Sequence, residues 1–83
     1  MLRKNIYLTR KLQRGTYGND IKNLQLILNK LNVRDQEGRE LLIDGIFGPR
    51  TKSSVIIFQK LENLKSDGVV GTETVARLGQ RLN

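Results

Sequence analysis

The sequence predicts an all-α fold, a compact three-helix bundle preceded by an extended basic segment. Three observations lead there: apolar residues recur at helical spacing in three stretches, glycine or Gly-Pro marks the start of two of them, and an Asp-Gly turn occurs twice. With 83 residues the chain makes one domain at most. So small a core leaves little stability margin, which puts weight on short connections, helix ends and glycine turns.

Residues 1–9 read as a basic amino-terminal arm and residues 10–83 as the folded body. The first 18 residues mix charge with Leu2, Ile6, Tyr7, Leu8 and Leu12, and close on Gly15-Thr16-Tyr17-Gly18. They are expected to lie extended across the body before turning into the first helix. Asn19 or Asp20 can cap that helix, because either side chain accepts a first-turn N–H and Asp20 suits the positive end of the dipole. Ile21, Leu24, Ile27, Leu28 and Leu31 then form one apolar stripe.

Residues 32–43 carry Asn32, Asp35, Gln36, Glu37 and Gly38 before Leu41-Leu42-Ile43, so a solvent-exposed connection, with room for a short irregular hairpin, leads back to the core. Gly48-Pro49 opens the second helix, since proline at the first helical position loses no needed N–H and has a suitable φ. Val55, Phe58 and Leu61 mark its inward stripe, widened by Ile56 or Ile57. Its β-branched run lowers intrinsic propensity, so packing decides the outcome. The third helix follows Gly71, with Val75, Leu78 and Leu82 on its apolar face.

The most informative feature is the internal repeat. Asp44-Gly45-Ile46-Phe47-Gly48-Pro49-Arg50-Thr51 returns as Asp67-Gly68-Val69-Val70-Gly71-Thr72-Glu73-Thr74 at an offset of 23 residues. Aspartate can bond its own downstream backbone and glycine accepts positive φ, so each Asp-Gly predicts a tight turn. The two apolar residues that follow are expected to plug the core, and the second glycine to let the backbone approach closely at the helix entrance. Thr51 and Thr74 fall in the first helical turn, where the hydroxyl can bond locally and the methyl can pack. Asp44, Gly45, Gly48 and Thr51 therefore read as structural turn residues, as do Asp67, Gly68, Gly71 and Thr74. The alternating oxygen ligands and closing glutamate of a calcium loop are missing. A carboxylate pair for glycoside hydrolysis needs two distinct environments, whereas the two aspartates share one.

Composition narrows the chemistry further. Without cysteine there is neither a disulfide framework nor a thiolate metal site, and without histidine the usual general base and commonest neutral metal ligand are gone. No catalytic residue, metal site or cofactor is expected. No stretch approaches the length of a transmembrane helix, and Arg3 and Lys4 are not followed by the apolar run of a secretory signal. Any export is thus expected to depend on a parent protein, a lysis system or a non-classical route. The net charge of +7 is asymmetric, with Arg3, Lys4, Arg10, Lys11 and Arg14 all preceding Asp20, the first acidic residue. Such a segment attracts polyanions, whether nucleic acid, anionic lipid or teichoic acid, without selecting among them.

A longer pattern overlies these elements: Leu12, Gly15, Gly18, Asp20-Ile21, Leu24-Gln25 and Leu28, then the first turn, Val55 with Phe58-Gln59, and the second turn. In this order it resembles the type 1 peptidoglycan-binding domain family over residues 10–82. The resemblance implies a non-catalytic three-helix module that brings a cell-wall hydrolase or related enzyme, such as a bacterial or phage lysin, to peptidoglycan. Glycan or stem peptide is the implied partner, with anionic teichoic acid a further candidate. Family members often carry an aromatic after the last motif threonine, where this chain has Val75. That departure implies a smaller core plug or one sugar contact fewer.

Six residues are candidates for ligand binding. Gln25 and Gln59 each follow a core residue and can donate and accept at once, to a ligand amide or inside a buried network. Tyr17 can stack on a pyranose face or an alanyl methyl, and Asn19 can read an amide, unless they pack and cap. Arg14 and Arg50 can pair with muropeptide carboxylates or phosphates, or serve as surface charge. The rival class is a basic helical nucleic-acid binder. Against it, the helix after Gly71 carries Glu73 with only Arg77 and Arg81, so sequence-specific readout does not follow.

Overall fold

The computed structural model describes residues 8–82, which fold into α1 (Asn19–Lys30), α2 (Pro49–Leu61) and α3 (Thr72–Arg81). Most of the basic arm at residues 1–9 lies outside the described residues; Leu8 is half-buried against the core and Thr9 is exposed. The core joins Leu12 of the leading segment to Ile21, Leu24, Ile27 and Leu28 of α1, with Phe47, Val55, Phe58, Val70 and Leu78 from the rest of the chain.

The stripes hold with two corrections. Leu61 is exposed at the end of α2, and Ser54 and Thr51 take inward positions beside Val55 and Phe58. Of the residues after each Asp-Gly, the second plugs the core, as Phe47 and Val70 are buried; Ile46 is 59% exposed and Val69 half-buried. Extended backbone turns successive side chains to opposite sides, so only one of each pair can face inward. Val75 packs on the core as a partly buried plug.

Helix ends follow backbone geometry more than side-chain capping. Gly18, Gly48 and Gly71 are the N-caps and make no side-chain cap bond, while the expected first-turn acceptor at α1 is Asp20, whose Oδ1 takes the Ile21 N–H at 3.0 Å. Asn19 is the first residue of α1, and the Asp20 carboxylate accepts from Arg10 Nε at 2.9 Å. Arg10 also donates to the Tyr17 carbonyl at 2.6 Å, so the leading segment fastens the entrance to α1. Both α1 and α2 stop at an asparagine with positive φ, Asn32 at 60° and Asn63 at 58°. Val33 N–H donates to the Leu28 carbonyl and Leu64 N–H to that of Gln59, which closes each helix in the Schellman pattern.

The long connection reverses on itself at Asp35, whose N–H donates to the Arg39 carbonyl at 2.9 Å, and the described residues contain no strand there. Asp35 is buried, and its Oδ1 accepts from the N–H groups of Glu37 and Arg39 at 2.8 and 2.9 Å. Ser54 Oγ donates to the Val33 carbonyl, tying this loop to α2. Asn29 pairs with both backbone groups of Leu41 at 2.9 Å, acting as a short strand partner. Leu41 is thereby held inward, while Leu42 and Ile43 are exposed rather than returned to the core.

Candidate ligand-binding face

Two side-chain latches of one design build the site. Gln25 is buried on α1 and its Nε2 lies 3.0 Å from Asp44 Oδ1, 3.0 Å from the Ile46 carbonyl and 3.2 Å from Thr51 Oγ1. Its Oε1 accepts from the N–H groups of Asp44 and Gly45. Gln59 of α2 repeats the arrangement on Asp67, Val69 and Thr74, at 3.3, 3.0 and 3.1 Å, and accepts from Gly68 N–H at 2.9 Å. The threonine hydroxyls therefore receive hydrogen bonds from the preceding helix, instead of bonding only locally. Both glutamine amides are enclosed and fully engaged, so they position the turns, which is the buried-network role.

Each aspartate also closes its own turn, with Oδ1 accepting from Ile46 or Val69 N–H at 3.0 Å. That backbone bond, and next the glutamine, hold both carboxyls below the usual aspartate range. They are ionised structural acceptors in matching settings. Gly45 and Gly68 take φ of 76° and 75°, and a Cβ on Gly45 would stand 3.1 Å from the Gly18 carbonyl oxygen. The close approach serves a contact, because Gly18 N–H donates to the Gly45 carbonyl at 2.9 Å.

The leading segment stitches the two turns together. Leu12 and Val70 exchange backbone hydrogen bonds at 3.1 and 2.8 Å, and Tyr17 bridges Ile46 in antiparallel register. One consequence is an exposed apolar ridge, with Tyr17 74% exposed beside Ile46, and Leu42 68% exposed on the same side of the turn. Two hollows flank Ile46. One, about 530 Å³, runs between Tyr17, Asn19, Lys22 and Gly45; the other, about 370 Å³ and here called the first groove, is lined by Leu41, Leu42, Pro49, Arg50 and Thr51.

The candidate residues thus separate. Tyr17 and Asn19 line one hollow beside Ile46 and Arg50 the other, while Arg14 stands exposed on the turn before Gly15 and lines neither. Arg50 Nε is 3.9 Å from Asp35 Oδ2, which backs its guanidinium with negative charge. Two backbone N–H groups and then Arg39 and Arg50 hold the Asp35 carboxyl below its ordinary range. Leu42 and Ile46 line this face without a local signal in the sequence: the run Leu41-Leu42-Ile43 reads as a return to the core, but Asn29 pairs with Leu41 and holds it inward while Leu42 is exposed. Among the described residues no group of three or more His, Cys, Asp or Glu is placed to hold a metal.

The sequence profile of the peptidoglycan binding domain family matches residues 17–78, the stretch that holds both latches and the ridge. The chain belongs to this family. Over 69 residues it is 35% identical to the zinc D-Ala-D-Ala carboxypeptidase of Streptomyces albus G, covering 83% of this chain and 26% of the carboxypeptidase. The N-acetylmuramoyl-L-alanine amidase CwlL of Bacillus licheniformis is 34% identical over 62 residues, 74% of this chain and 17% of the amidase. Among solved structures, the SleB N-terminal domain superposes with a TM-score of 0.82 at 27% identity, covering 93% of this chain and 99% of that domain. The chain thus spans about a quarter or less of the two enzymes and nearly all of one isolated domain. It is a peptidoglycan-binding module.

Proposed function

We propose that the module grips peptidoglycan with the face around Ile46 and so holds a cell-wall hydrolase or related enzyme against its substrate, at the wall or outside the cell. The observation that carries the binding face is that exposed Ile46 borders two hollows, one lined by exposed Tyr17 and Asn19 and the other by exposed Leu42 and Arg50. Peptidoglycan offers pyranose faces and alanyl methyls beside acetamido groups and free carboxylates, so its binder needs an apolar surface with a few convergent polar groups. Tyr17 and the first groove supply the apolar part, Asn19 an amide, and Arg50 a guanidinium for a carboxylate.

The two enzymes it resembles are named for chemistry on wall peptides and amide bonds, and the likeness covers only a minor part of each. That supports a targeting role beside a separate catalytic unit. The net charge of +7 adds attraction to anionic wall polymers such as teichoic acid. Arg77 and Arg81 of α3 both bond to Glu62, which counts against a free basic recognition helix for nucleic acid.

Sedimentation with purified sacculi across a salt series tests the reading. Retention on sacculi stripped of teichoic acid at moderate salt is the expected result. Binding that vanishes with the teichoic acid assigns the interaction to charge alone. Failure on every sacculus, with tight salt-resistant binding to one DNA sequence, overturns it.

A further inference from the structure

The repeated turn makes a second groove, and the two are not chemically equal. In the first, Gln25, Asp44, Ile46, Gly48 and Thr51 form the frame. In the second, about 190 Å³, the corresponding Gln59, Asp67, Val69, Gly71 and Thr74 do so, each on the same latch geometry. The frame is thus duplicated, while the rims diverge. Where the first has Leu41, Leu42 and Arg50, the second has Lys11, Lys65 and Glu73.

We infer that this second groove is a separate site for a zwitterionic α-amino-acid group, such as the free amino and carboxyl end of a diamino acid in an uncrosslinked stem peptide. Its capacity suits one amino-acid unit, on the order of six waters at ~30 Å³ each. Its rim balances two cations, Lys11 and Lys65, against Asp67 and Glu73, so a ligand of zero net charge with separated poles matches it. Asp67 is already committed to the turn and to the field of Lys65. Among the described residues Lys11 and Glu73 have no ion-pair partner, which leaves a cation for the ligand carboxylate and a carboxylate for its ammonium. Leu12 and Val70 pair directly behind them, so Lys11 is carried to the groove by backbone contacts and not by a wandering arm. The inference rests on the wall-binding function but not on the first groove being its main grip.

Titration of the 15N-labelled protein followed by amide shifts tests it, with three probes: D-alanine, N-acetyl-D-alanine and D-alaninamide. D-alanine is expected to saturate in the millimolar range and to move Gly68, Gly71, Thr72 and Glu73 more than Gly45 and Gly48. Capping either end is expected to weaken binding at least fivefold, as are Glu73→Gln and Lys11→Ala, both at exposed positions. Equal response to all three probes, shifts confined to the first groove, or no response at 50-fold lower salt overturns the site. Sacculus binding by Tyr17→Ala and Arg50→Ala variants reads the two hollows beside Ile46 separately from this groove, so failure of one site is distinguishable from failure of the other.

Discussion

The Gln25 amide nitrogen lies 3.2 Å from the Thr51 hydroxyl with both side chains buried, so α1 holds the first turn of α2 through the Asp-Gly turn between them. Removing the amide leaves the Gly45 N–H without its acceptor in a closed space and the part-buried Asp44 N–H without its own. Gln25→Ala is therefore expected to cost about 3 kcal/mol and Gln59→Ala about 2 kcal/mol, since the second latch has one backbone partner fewer. Urea unfolding followed by circular dichroism measures both. A loss below about 0.5 kcal/mol, the range of surface substitutions, would contradict the latch.

Gly45→Ala and Gly68→Ala separate conformational strain from close approach. Both positions have positive φ, which costs a side chain roughly 1–2 kcal/mol. At Gly45 the new Cβ also meets a backbone oxygen at 3.1 Å, whereas at Gly68 it meets only side-chain atoms, Lys52 Cγ and Cε at 2.9 Å and Ile56 Cδ1 at 3.4 Å, which can shift by a rotamer change where backbone cannot. Gly45→Ala is thus expected to lower the urea midpoint more than Gly68→Ala. The reverse order would show that Lys52 is fixed and that the Gly18 to Gly45 contact yields.

Much of this frame is legible in the sequence because it rests on local chemistry. Gly-Pro at residues 48–49, the Asp-Gly pairs and the stripe from Ile21 to Leu28 each specify their own backbone. What could not be read depends on partners far along the chain. Gln25 and Asp44 are 19 residues apart and Gln59 and Asp67 only 8, so the equivalence of the two latches is hidden by the longer first connection. Similarly, nothing local distinguishes Leu41, held in by Asn29, from Leu42, left outside to line a groove. Leu61 sits at helical spacing from Phe58, yet falls where α2 runs past the core.

Acid should loosen the domain below about pH 4. Asp20, Asp35, Asp44, Glu62 and Asp67 all have pKa values lowered by hydrogen bonds, from Arg10, from Arg39 N–H, from Ile46 N–H, from Arg81 and from Val69 N–H in turn. The unfolded chain, with carboxyl values near about 4, binds more protons in acid. This stabilisation is complete above that value and is lost as pH falls through the lower folded values. Urea midpoints between pH 2 and 7 are expected to be flat at the upper end and to drop below about pH 4. Asp67→Asn keeps the oxygen acceptor without the titration, and should shallow that drop.

Asp35 offers a test of how the first groove is supported. Asp35→Asn retains Oδ1 for the two N–H groups of its loop, but replaces the charged Oδ2 that faces Arg39 and Arg50. It is expected to unfold at a moderately lower midpoint than the unmodified protein, because the stabilisation from the ionised carboxylate is lost, whereas Asp35→Ala, which also loses both N–H acceptors, unfolds at clearly lower urea still. If the carboxylate holds Arg50 toward the groove, Asp35→Asn also weakens sacculus binding. Equal midpoints for the two variants would mean that the loop does not depend on this side chain.

Direct contact with peptidoglycan is tested by Tyr17→Ala and Arg50→Lys. Tyr17 is largely exposed and is held through its backbone, by the bridge to Ile46 and the Arg10 bond to its carbonyl, so truncating its ring should leave stability within about 0.5 kcal/mol. If the ring stacks on sugar or methyl groups, affinity for sacculi falls roughly tenfold, the range of an aromatic anchor. Arg50→Lys keeps the charge but loses the planar fork, so a bidentate carboxylate contact is lost while general attraction to the wall is retained. The affinity of Arg50→Lys should therefore fall at moderate salt, where long-range attraction is screened, by more than at low salt. Unchanged binding by both variants in stripped sacculi would move the grip away from Ile46 altogether.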